Sequence, residues 1–393
     1  MFNYSTTFLD EIFPLLKDRL KIAVIYGGDK NNDGSVIYKT NNPRSWKSYN
    51  RAANDIAHSL LKSGFRHVFV FADDMSLVSK IKENDIHFAW LNTGGVQGSN
   101  SMSHAAAMLE MAGIPYIGHN SLNYGILDNK HVFKYLLQQF KLPTSDFVVF
   151  QEASFPGKVE YDQLIIDNTF EPGSGQFIVK PVSGRASINV HHVKTSENLF
   201  PIISQVFSET QNPVIVERFL PGREFCVSIC GDIVHKNGKF CRNNGPFTFS
   251  IVEMVMDEDE YIFTSMDKKP ITNKRVIKCD HEKDAPIIQQ LKTLATQVFK
   301  RFSLETLVRI DFRTDEFGNL KILEANPKPD LKRPESDTSS LTCMGLDHEG
   351  MEYQDLILSI LGYKLDFLLE HRQDSVLHIV NMLVKEEVYE ASF

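Results

Sequence analysis

Apolar runs alternate with stretches of helical spacing over about the first 120 residues. Residues 21–26 form an apolar run that stops at Gly27-Gly28, which predicts a buried strand followed by a turn. Apolar side chains recur at helical spacing from residue 53 to residue 61. Further strands are predicted at residues 67–71, 86–91 and 114–117, and a further helix at residues 103–111. This alternation is typical of parallel βαβ units, so we predict a doubly wound α/β domain over residues 1–123.

Beyond this domain the pattern changes and short strands dominate. A helix with Asp128 as its N-cap is predicted to precede them. The predicted strands are residues 147–150, 177–180, 214–217 and 225–229. The predicted later helices are residues 285–302, residues 353–361 and a segment within the last thirty residues. We therefore expect an α+β second half, divided into a central subdomain at residues 124–212 and a C-terminal subdomain at residues 213–393.

Composition sets limits on the class of protein. A chain of 393 residues, with 42% hydrophobic and 23% charged residues, is expected to fold into two or three packed domains. Its formal net charge of −8 gives no overall attraction to nucleic acid or to anionic membranes. We therefore expect small-molecule partners, with no nucleic acid and no membrane among them.

The cysteines and the N-terminus favour a cytoplasmic protein. Five cysteines are scattered along a chain too long to need disulfide staples, so reduced thiols are expected. Cys226 and Cys230 lie on one face of a predicted strand, where small buried side chains are the more common reading than metal ligands. No basic-then-apolar leader and no membrane-spanning run is visible in the sequence.

A predicted hairpin near the C-terminus concentrates acidic side chains. Alternation in residues 308–312 places Arg309 and Asp311 on the face opposite the apolar side chains. The same rule projects Ile322, Glu324 and Asn326 from one face of the next strand. Folding the hairpin sets Asp311 opposite Glu324, about 5 Å away, and two carboxylates with an amide oxygen suit Mg²⁺ bound together with phosphates. A solvated hairpin face is the alternative for this pair of motifs alone.

Three other segments fit a phosphate-binding cleft. Lys180 ends an apolar strand and precedes a loop of small residues at 181–187, whose NH groups and hydroxyls could cradle phosphate. A lysine that merely extends its amine from a strand end is the alternative. Residues 214–224 run from a strand into a hinge with two acids, Glu217 and Glu224, which can present backbone to a purine and carboxylate to a ribose. The loop at residues 27–50 is long, and substrate contact is expected there.

Taken in order, these segments resemble the ATP-grasp superfamily, and more closely the D-alanine:D-alanine ligases. The resemblance covers about residues 21–335 and includes residues 23–28, residues 108–118 and Asp128-Asn129-Lys130 with Lys134 four residues later. It implies the ATP-grasp fold, with the N-terminal doubly wound domain in the position of a pre-ATP-grasp domain. It also implies an ATP-dependent carboxylate-amine ligase that forms an amide bond through an acyl phosphate, and a homodimer is common among related ligases.

The resemblance also implies roles for individual residues. It assigns ATP phosphates to Lys130 and Lys180, adenine to Glu217, Arg218, Phe219 and Leu220, ribose to Glu224, and two Mg²⁺ ions, with Mn²⁺ as an alternative, to Asp311, Glu324 and Asn326. Arg309 and Ser187 are the implied catalytic residues. Arg309 would neutralise the acyl phosphate and the oxyanion formed when the amine attacks, while Ser187 keeps the hydroxyl of the family's phosphate loop. Lids over the site are expected at residues 183–187 and 247–280, since an acyl phosphate must be kept from water.

The chain departs from this family in its substrate segments. The phosphate loop reads Arg185-Ala186-Ser187 in place of a Gly-Ser-Ser run, and Pro327 replaces the Thr that normally follows the metal-binding Asn. Lys328 and Lys332 then offer charge where backbone NH groups would hold a substrate carboxylate. The usual His-Gly dipeptide of the N-terminal domain is replaced by residues 93–96. We therefore expect a substrate other than D-alanine alone.

Two further functions stay open on the sequence. A non-catalytic nucleotide-binding or regulatory protein would keep the fold and lose turnover, and the altered substrate segments favour that alternative. The retained set of Arg309, Asp311, Glu324 and Asn326 favours catalysis. A dinucleotide-dependent enzyme is disfavoured because Gly27-Gly28-Asp29 is not a G-x-G-x-x-G motif.

Overall fold

The computed structural model describes residues 6–32, 34–40, 46–152, 159–170, 175–185, 187–257, 260–263, 275–335 and 340–384. The helices in these ranges are α1 (Thr6–Arg19), α2 (Asn50–Lys62), α3 (Leu77–Glu83), α4 (Met102–Met111), α5 (Ser121–Asp128), α6 (Lys130–Gln139), α7 (Val159–Thr169), α8 (Leu199–Thr210), α9 (Ala285–Arg301), α10 (Tyr353–His371) and α11 (Leu377–Val384). The strands are β1 (Lys21–Gly27), β2 (His67–Asp73), β3 (Phe88–Asn92), β4 (Tyr116–Ile117), β5 (Phe147–Phe150), β6 (Phe177–Pro181), β7 (His191–Val193), β8 (Val214–Arg218), β9 (Glu224–Cys230), β10 (Ile233–Lys236), β11 (Lys239–Arg242), β12 (Phe247–Met254), β13 (Val276–Lys278), β14 (Val308–Thr314) and β15 (Leu320–Asn326).

The first sheet is parallel, in the order β2-β1-β3-β4. Its strands fall where the apolar runs predicted them, and α2 and α4 occupy the two predicted helical stretches. Ile22, Val24 and Trp90 of this sheet are buried in one core with α2 and α10, while Ala23 and Ile25 face a second core on the other side. The predicted doubly wound arrangement is confirmed.

The second sheet is antiparallel, in the order β5-β8-β6-β7. Val179, Val214 and Val216 pack its inner face against Leu199 and Ile203 of α8. Because β8 pairs with β5 and β6, the predicted boundary at residues 212 and 213 falls between strands of one sheet. We therefore propose the boundary between the central and C-terminal subdomains just after β8.

The third sheet has the order β13-β12-β9-β14-β15. Its β14–β15 hairpin pairs Asp311 with Glu324, as the sequence predicted. A bulge then lets Phe312 pair with Ile322, so that Leu323 has no partner in the register. Ile322 packs in the core beneath α9 while Glu324 lines a cavity, so the prediction that Ile322 and Glu324 share a face is wrong.

Two local predictions need correction. Asp128 is the last residue of α5, and Asn129 occupies the N-cap position of α6. Asp128 therefore does not cap the predicted helix, because the chain makes two helices separated by a single residue. Residues 6–19, left unassigned as a leader by the sequence, form α1, whose Leu9 and Leu16 are buried in the first core.

The long helix α10 is almost entirely buried and carries Lys364 and Asp366 among its apolar residues. Among the described residues, no helix is long and apolar enough to cross a membrane. All five cysteines are described and each is a free thiol. Cys226 and Cys230 are buried in apolar clusters, as expected of small core residues.

Candidate active site

A cavity of about 410 Å³ lies where the second and third sheets meet the ends of the first. All of the residues to which the sequence analysis assigned nucleotide, metal or catalytic roles lie on its wall. They are Lys130, Lys180, Ser187, Glu217, Arg218, Phe219, Leu220, Glu224, Arg309, Asp311, Glu324 and Asn326. Their roles stay predictions, but the fold brings them together from five separate segments of the chain.

The β14–β15 hairpin forms the acidic wall of the cavity. Arg309 donates from Nε to Asp311 Oδ1 and from Nη2 to Asp311 Oδ2, both at 2.8 Å. Lys130 Nζ lies 3.3 Å from Glu324 Oε2. Burial raises the pKa of Asp311, an effect that Arg309 opposes. Burial would also raise the pKa of Glu324, but Lys130, Lys180 and Arg309 hold it well below its usual value.

The donors on this wall fit a divalent metal ion with oxygen ligands. Asp311 and Glu324 are cross-strand neighbours, and Asn326 follows on the same side of β15. Carboxylate and amide oxygens are the ligands that Mg²⁺ accepts, and the cations Arg309 and Lys130 now contact the oxygens that a metal would share. Among the described residues, no group of three or more His, Cys, Asp or Glu side chains is arranged to hold a metal.

Glu217 lies between two buried lysines. Lys180 Nζ is 2.8 Å from Glu217 Oε1, and Lys134 Nζ is 3.3 Å from Glu217 Oε2. Burial alone would raise the pKa of Glu217, but the positive charges of the two lysines outweigh burial and hold this pKa below its usual value. Burial lowers the pKa of Lys134 to about 8 against the pull of Glu217. Lys134 was noted in the sequence only for its spacing from Lys130; no role was assigned to it because nothing local shows its partner.

Glu224 faces a buried arginine that the sequence did not single out. Arg313 Nη1 donates to Glu224 Oε2 at 3.1 Å, and the two residues pair across β14 and β9. Burial raises the pKa of Glu224 to about 7, although Arg313 opposes the shift. Alternation on β14 could have indicated Arg313, since it lies two residues from Asp311 on the same face.

Aromatic rings close the same end of the cavity. The Arg313 guanidinium lies 4.9 Å from the Phe219 ring centroid. His192 lies against Phe219 at 4.5 Å and stacks on Tyr261 at 4.2 Å between ring centroids. Phe219 is thus held in place from two sides.

The loop after β6 carries Ser187 in a left-handed conformation, with φ of 52°. Ser187 Oγ donates to the Phe263 carbonyl at 3.3 Å, so the loop contacts the connection between β12 and β13. Residue 186 of the predicted lid lies outside the described residues, as do 258–259 and 264–274 of the second predicted lid. The ends of that second segment are β12 and β13, which belong to the third sheet rather than to a lid.

The loop before α2 supplies the opposite wall. Trp46, Lys47 and Tyr49 line the cavity, so this end of the loop at residues 27–50 reaches it, and substrate contact there stays a prediction. Lys328 also lines the cavity, with Nζ 3.2 Å from the Tyr49 ring centroid. Lys332 does not: its amine lies 3.9 Å from Asp330 and outside the lining. Of the two lysines expected to offer charge, only Lys328 reaches the cavity.

Comparison with known proteins defines the class first. A family profile described as D-ala D-ala ligase C-terminus matches residues 136–362, more than half of the chain. A D-alanine–D-alanine ligase from Haemophilus ducreyi is 27% identical over 341 residues, which are 86% of this chain and 98% of that protein. An uncharacterized protein, y4sG, from Sinorhizobium fredii is 25% identical over 268 residues, 68% of this chain and 71% of its own.

Solved structures agree on the fold. A D-alanine–D-alanine ligase from Bacillus anthracis, complexed with ATP, superposes with a TM-score of 0.63 at 20% identity, covering 90% of this chain and 99% of that one. A D-Ala:D-Ser ligase from Enterococcus faecalis gives 0.61 at 15% identity, covering 88% and 99%. The fold is therefore ATP-grasp, and the chain belongs to the D-alanine–D-alanine ligase family. This membership places it among the ATP-dependent carbon–nitrogen ligases.

Proposed function

We propose that this protein joins an amino acid or related carboxylate to an amine, through an acyl phosphate, with release of ADP and phosphate. The observation that carries the proposal is the meeting of predicted nucleotide, metal and catalytic residues from five segments on one cavity wall. A carboxylate is a poor electrophile, so phosphorylation of its oxygen by ATP provides the leaving group that the amine displaces.

The residues divide the work along the cavity. Glu217 to Leu220 present backbone and an aromatic face to adenine, and Glu224 accepts hydrogen bonds from the ribose. Lys130 and Lys180 hold phosphates, with the carboxylates of Glu324 and Glu217 fixing the orientation of the two amines. Amines held in this way stabilise phosphate charge without reorganising during the reaction.

The proposed metal ligands and the proposed catalytic arginine belong to the β14–β15 hairpin. Asp311, Glu324 and Asn326 would hold Mg²⁺, two ions in the full proposal, and phosphate oxygens would complete the coordination. The ions supply charge neutralisation at the transferred phosphate. Arg309, fixed in orientation by its fork to Asp311, faces the cavity, where it can stabilise the oxyanion that forms when the amine attacks. Ser187 offers a hydroxyl to the same phosphates.

D-alanine alone is not proposed as the substrate. The cavity wall contributed by Trp46, Tyr49 and Lys328 presents two aromatic rings and a cation, which a methyl side chain does not need. A coupled assay of ADP release over a panel of amino-acid and amine pairs, with the products identified by mass spectrometry, tests both points. D-alanine dipeptide formation at ordinary enzyme rates would contradict the substrate proposal, whereas ADP release without an amide product would contradict the ligase proposal.

A non-catalytic nucleotide-binding protein is the second candidate. It is favoured by the cations that already neutralise both metal-site carboxylates, since a regulatory protein needs a stable cavity rather than an open metal site. ATP binding by calorimetry with no ADP formed from any pair would support it.

The proposal also includes the cellular location and the oligomeric state of the protein. Five free thiols and a need for ATP suit a cytoplasmic enzyme. A homodimer is proposed from the family resemblance, and light scattering of the purified protein measures it.

A further inference from the structure

The cations of the cavity form two groups. Toward the nucleotide end each cation lies against a carboxylate, and the pairs are Lys180 with Glu217, Lys130 with Glu324, Arg309 with Asp311 and Arg313 with Glu224. At the other end three cations gather on the ring of Tyr49, at 5.6 Å for Lys47, 5.4 Å for Arg185 and 3.2 Å for Lys328. We call Lys47, Tyr49, Arg185 and Lys328 the cationic subsite. Among the described residues, Arg185 has no carboxylate partner.

The subsite is anchored by two buried residues, Asn92 and Lys328, and its other members are partly buried. Tyr49 has φ of 57°, a left-handed conformation that is uncommon for a bulky residue and that recurs at functional sites. The buried Asn92 joins two of its members, because its Nδ2 donates to the Tyr49 carbonyl at 3.1 Å and its Oδ1 accepts from Lys328 at 3.2 Å. Lys328 is itself buried, with only 6% of its surface exposed.

Arg185 is seated against the first domain. It donates to the Tyr49 hydroxyl and, from Nη2, to the Gly94 carbonyl at 3.3 Å. A Cβ at position 94 would lie 2.0 Å from that Nη2, so the guanidinium fits only over a glycine. Arg185 Nε is buried without a hydrogen-bond partner in the described structure, so the fork retains an unused donor.

We propose that the cationic subsite binds an anionic side group of the amino-acid substrate, which makes acidic amino acids, with a carboxylate or phosphate on the side chain, the substrate class. The inference rests on the proposed ligase function and deepens it. Among the described residues, Arg185 brings its charge to this ring without a carboxylate partner, and a cation–π contact offsets only part of the cost of taking a charge out of water. A planar carboxylate or a phosphate offers the paired acceptors that a guanidinium fork and an amine match.

Position argues against a role of this subsite in holding ATP phosphates. Arg185 and Lys328 contact Gly94 and Asn92, at the end of β3 in the first sheet. The proposed phosphate lysines, Lys130 and Lys180, contact carboxylates of the third and second sheets instead. The subsite therefore lies where the loop after β6 and the segment after β15 meet the first domain.

Calorimetric binding of matched amino acids to the full chain, saturated with Mg²⁺ and a non-hydrolysable ATP analogue, tests the inference. The pairs are aspartate with asparagine, glutamate with glutamine, and phosphoserine with serine, each in both stereochemistries. We expect the acid of at least one pair to bind at least about tenfold more tightly than its neutral partner, since hydrogen bonds to charged groups are the stronger ones. Comparison of the carboxylate and phosphate pairs identifies the anion. Equal binding of acid and neutral partner in every pair, or no binding at all, overturns the inference.

Substitutions of Arg185 and Lys328 test whether the cationic subsite causes the preference for the acid. Arg185→Gln and Lys328→Met should each remove most of the preference for the acid and leave the affinity for the ATP analogue within about twofold, while Arg185→Lys should keep part of the preference. Lys332→Met, on the same segment but outside the cavity, is the matched control and should behave as the wild type. Melting temperatures show that each variant is folded. A loss of nucleotide affinity equal to the loss of acid binding would overturn the inference in favour of an ATP-phosphate role.

The inference and the proposed function fail separately. ADP release and amide formation with neutral amino acids, together with no preference for acids, would keep the ligase and overturn the acidic substrate class. Preferential binding of acids without ADP release from any pair would support the subsite and contradict the ligase.

Discussion

At the scale of single residues, the cavity is organised by buried charge pairs. Each proposed metal or nucleotide carboxylate has a cation within 3.3 Å, and these carboxylates are Glu217, Glu224, Asp311 and Glu324. Such pairs contribute little net stability because both charges leave water, but removal of one partner leaves the other buried and uncompensated. Substitutions of these residues therefore change both the reaction and the stability of the fold, so each test needs one measurement of activity and one of stability.

Glu324→Ala should remove Mg²⁺-dependent turnover. Loss of a metal ligand forfeits several kcal/mol of charge stabilisation, so ADP formation should fall at least about 100-fold while melting stays cooperative. Lys321→Ala, on the same strand and outside the cavity, is the control and should retain wild-type activity. Persistence of metal-dependent ADP formation in Glu324→Ala would show that Glu324 is not a ligand.

Glu224 should give stability a pH dependence that Glu224→Gln lacks. Its pKa is about 7 in the folded protein, above the ordinary value of 4.5, because it is buried. Between pH 4.5 and pH 7 the folded state therefore binds more protons than the unfolded state, so its contribution to stability is full below this window and is lost as pH rises through it. Denaturant unfolding at pH 5 and pH 8 should show the wild type losing stability relative to Glu224→Gln at the higher pH. A constant difference would contradict the raised pKa.

At the scale of elements, one helix residue ties three parts of the site together. Lys134 of α6 is fully buried and donates to Thr144 at 2.8 Å and to Ser145 at 2.9 Å, besides its contact with Glu217. Thr144 in turn donates to the Ile322 carbonyl of β15 at 2.8 Å. The helix α6 and the strands β8 and β15 are thus connected through a single amine.

Lys134→Met should loosen this junction. The change leaves Glu217 with one cationic partner instead of two, and the hydroxyls of Thr144 and Ser145 lose the amine that donates to them. The free energy of unfolding should therefore fall by about 3–5 kcal/mol, the range for breaking a buried pair. ATP should also bind more weakly, because Lys180 and Glu217 lose their fixed geometry. Chemical denaturation and calorimetry measure the two effects. Lys82→Met, at an exposed position of α3, is the control. A loss below about 1 kcal/mol would mean that the junction does not depend on Lys134.

Elements with a strong period could be predicted from sequence, and those shaped by tertiary contacts could not. The strands of the first sheet and the pairing of Asp311 with Glu324 follow from apolar runs and alternation. The bulge at Leu323 could not be predicted because no particular residue type marks it in the sequence. It places Ile322 on the face opposite to the one assigned from alternation. α1 was missed for a related reason: its apolar face becomes visible only against the core that it covers.

The site shows the same division between local and long-range information. The linear order of motifs was enough to single out the twelve lining residues to which nucleotide, metal or catalytic roles were assigned. It could not show that Lys134 meets Glu217, or that Arg185 meets Tyr49 and Gly94, because these contacts join segments 80 to 140 residues apart. A lone lysine or arginine in sequence is compatible with a solvated surface, and only the fold supplies its partner.

At the scale of the whole molecule, the first domain forms part of the cavity. Its strand β3 ends at Asn92, and Gly94 just beyond it contacts Arg185, which lies on the loop that carries Ser187. The proposed cationic subsite and the proposed phosphate loop are therefore connected through one guanidinium. If the proposal holds, a change in the first domain alters selectivity without changing any residue of the proposed nucleotide end.

Gly94→Ala tests this connection. Its φ lies outside the left-handed region, so alanine fits the backbone, but the added Cβ would lie 2.0 Å from Arg185 Nη2. Because a guanidinium is the mobile end of a long side chain, we expect it to be displaced while the fold is kept. Gly94→Ala should then lose the preference for acidic amino acids as Arg185→Gln does.

The combination of Gly94→Ala with Arg185→Gln should lose no more of that preference than Arg185→Gln alone, since two changes that act through one contact are not additive. Gly125→Ala is the matched control, because its added Cβ meets only Ser103 Oγ at an ordinary 3.7 Å. Calorimetry with the matched acid and amide measures all four proteins. If Gly94→Ala kept the full preference while Arg185→Gln lost it, Arg185 would act from a position other than its seat on the first domain.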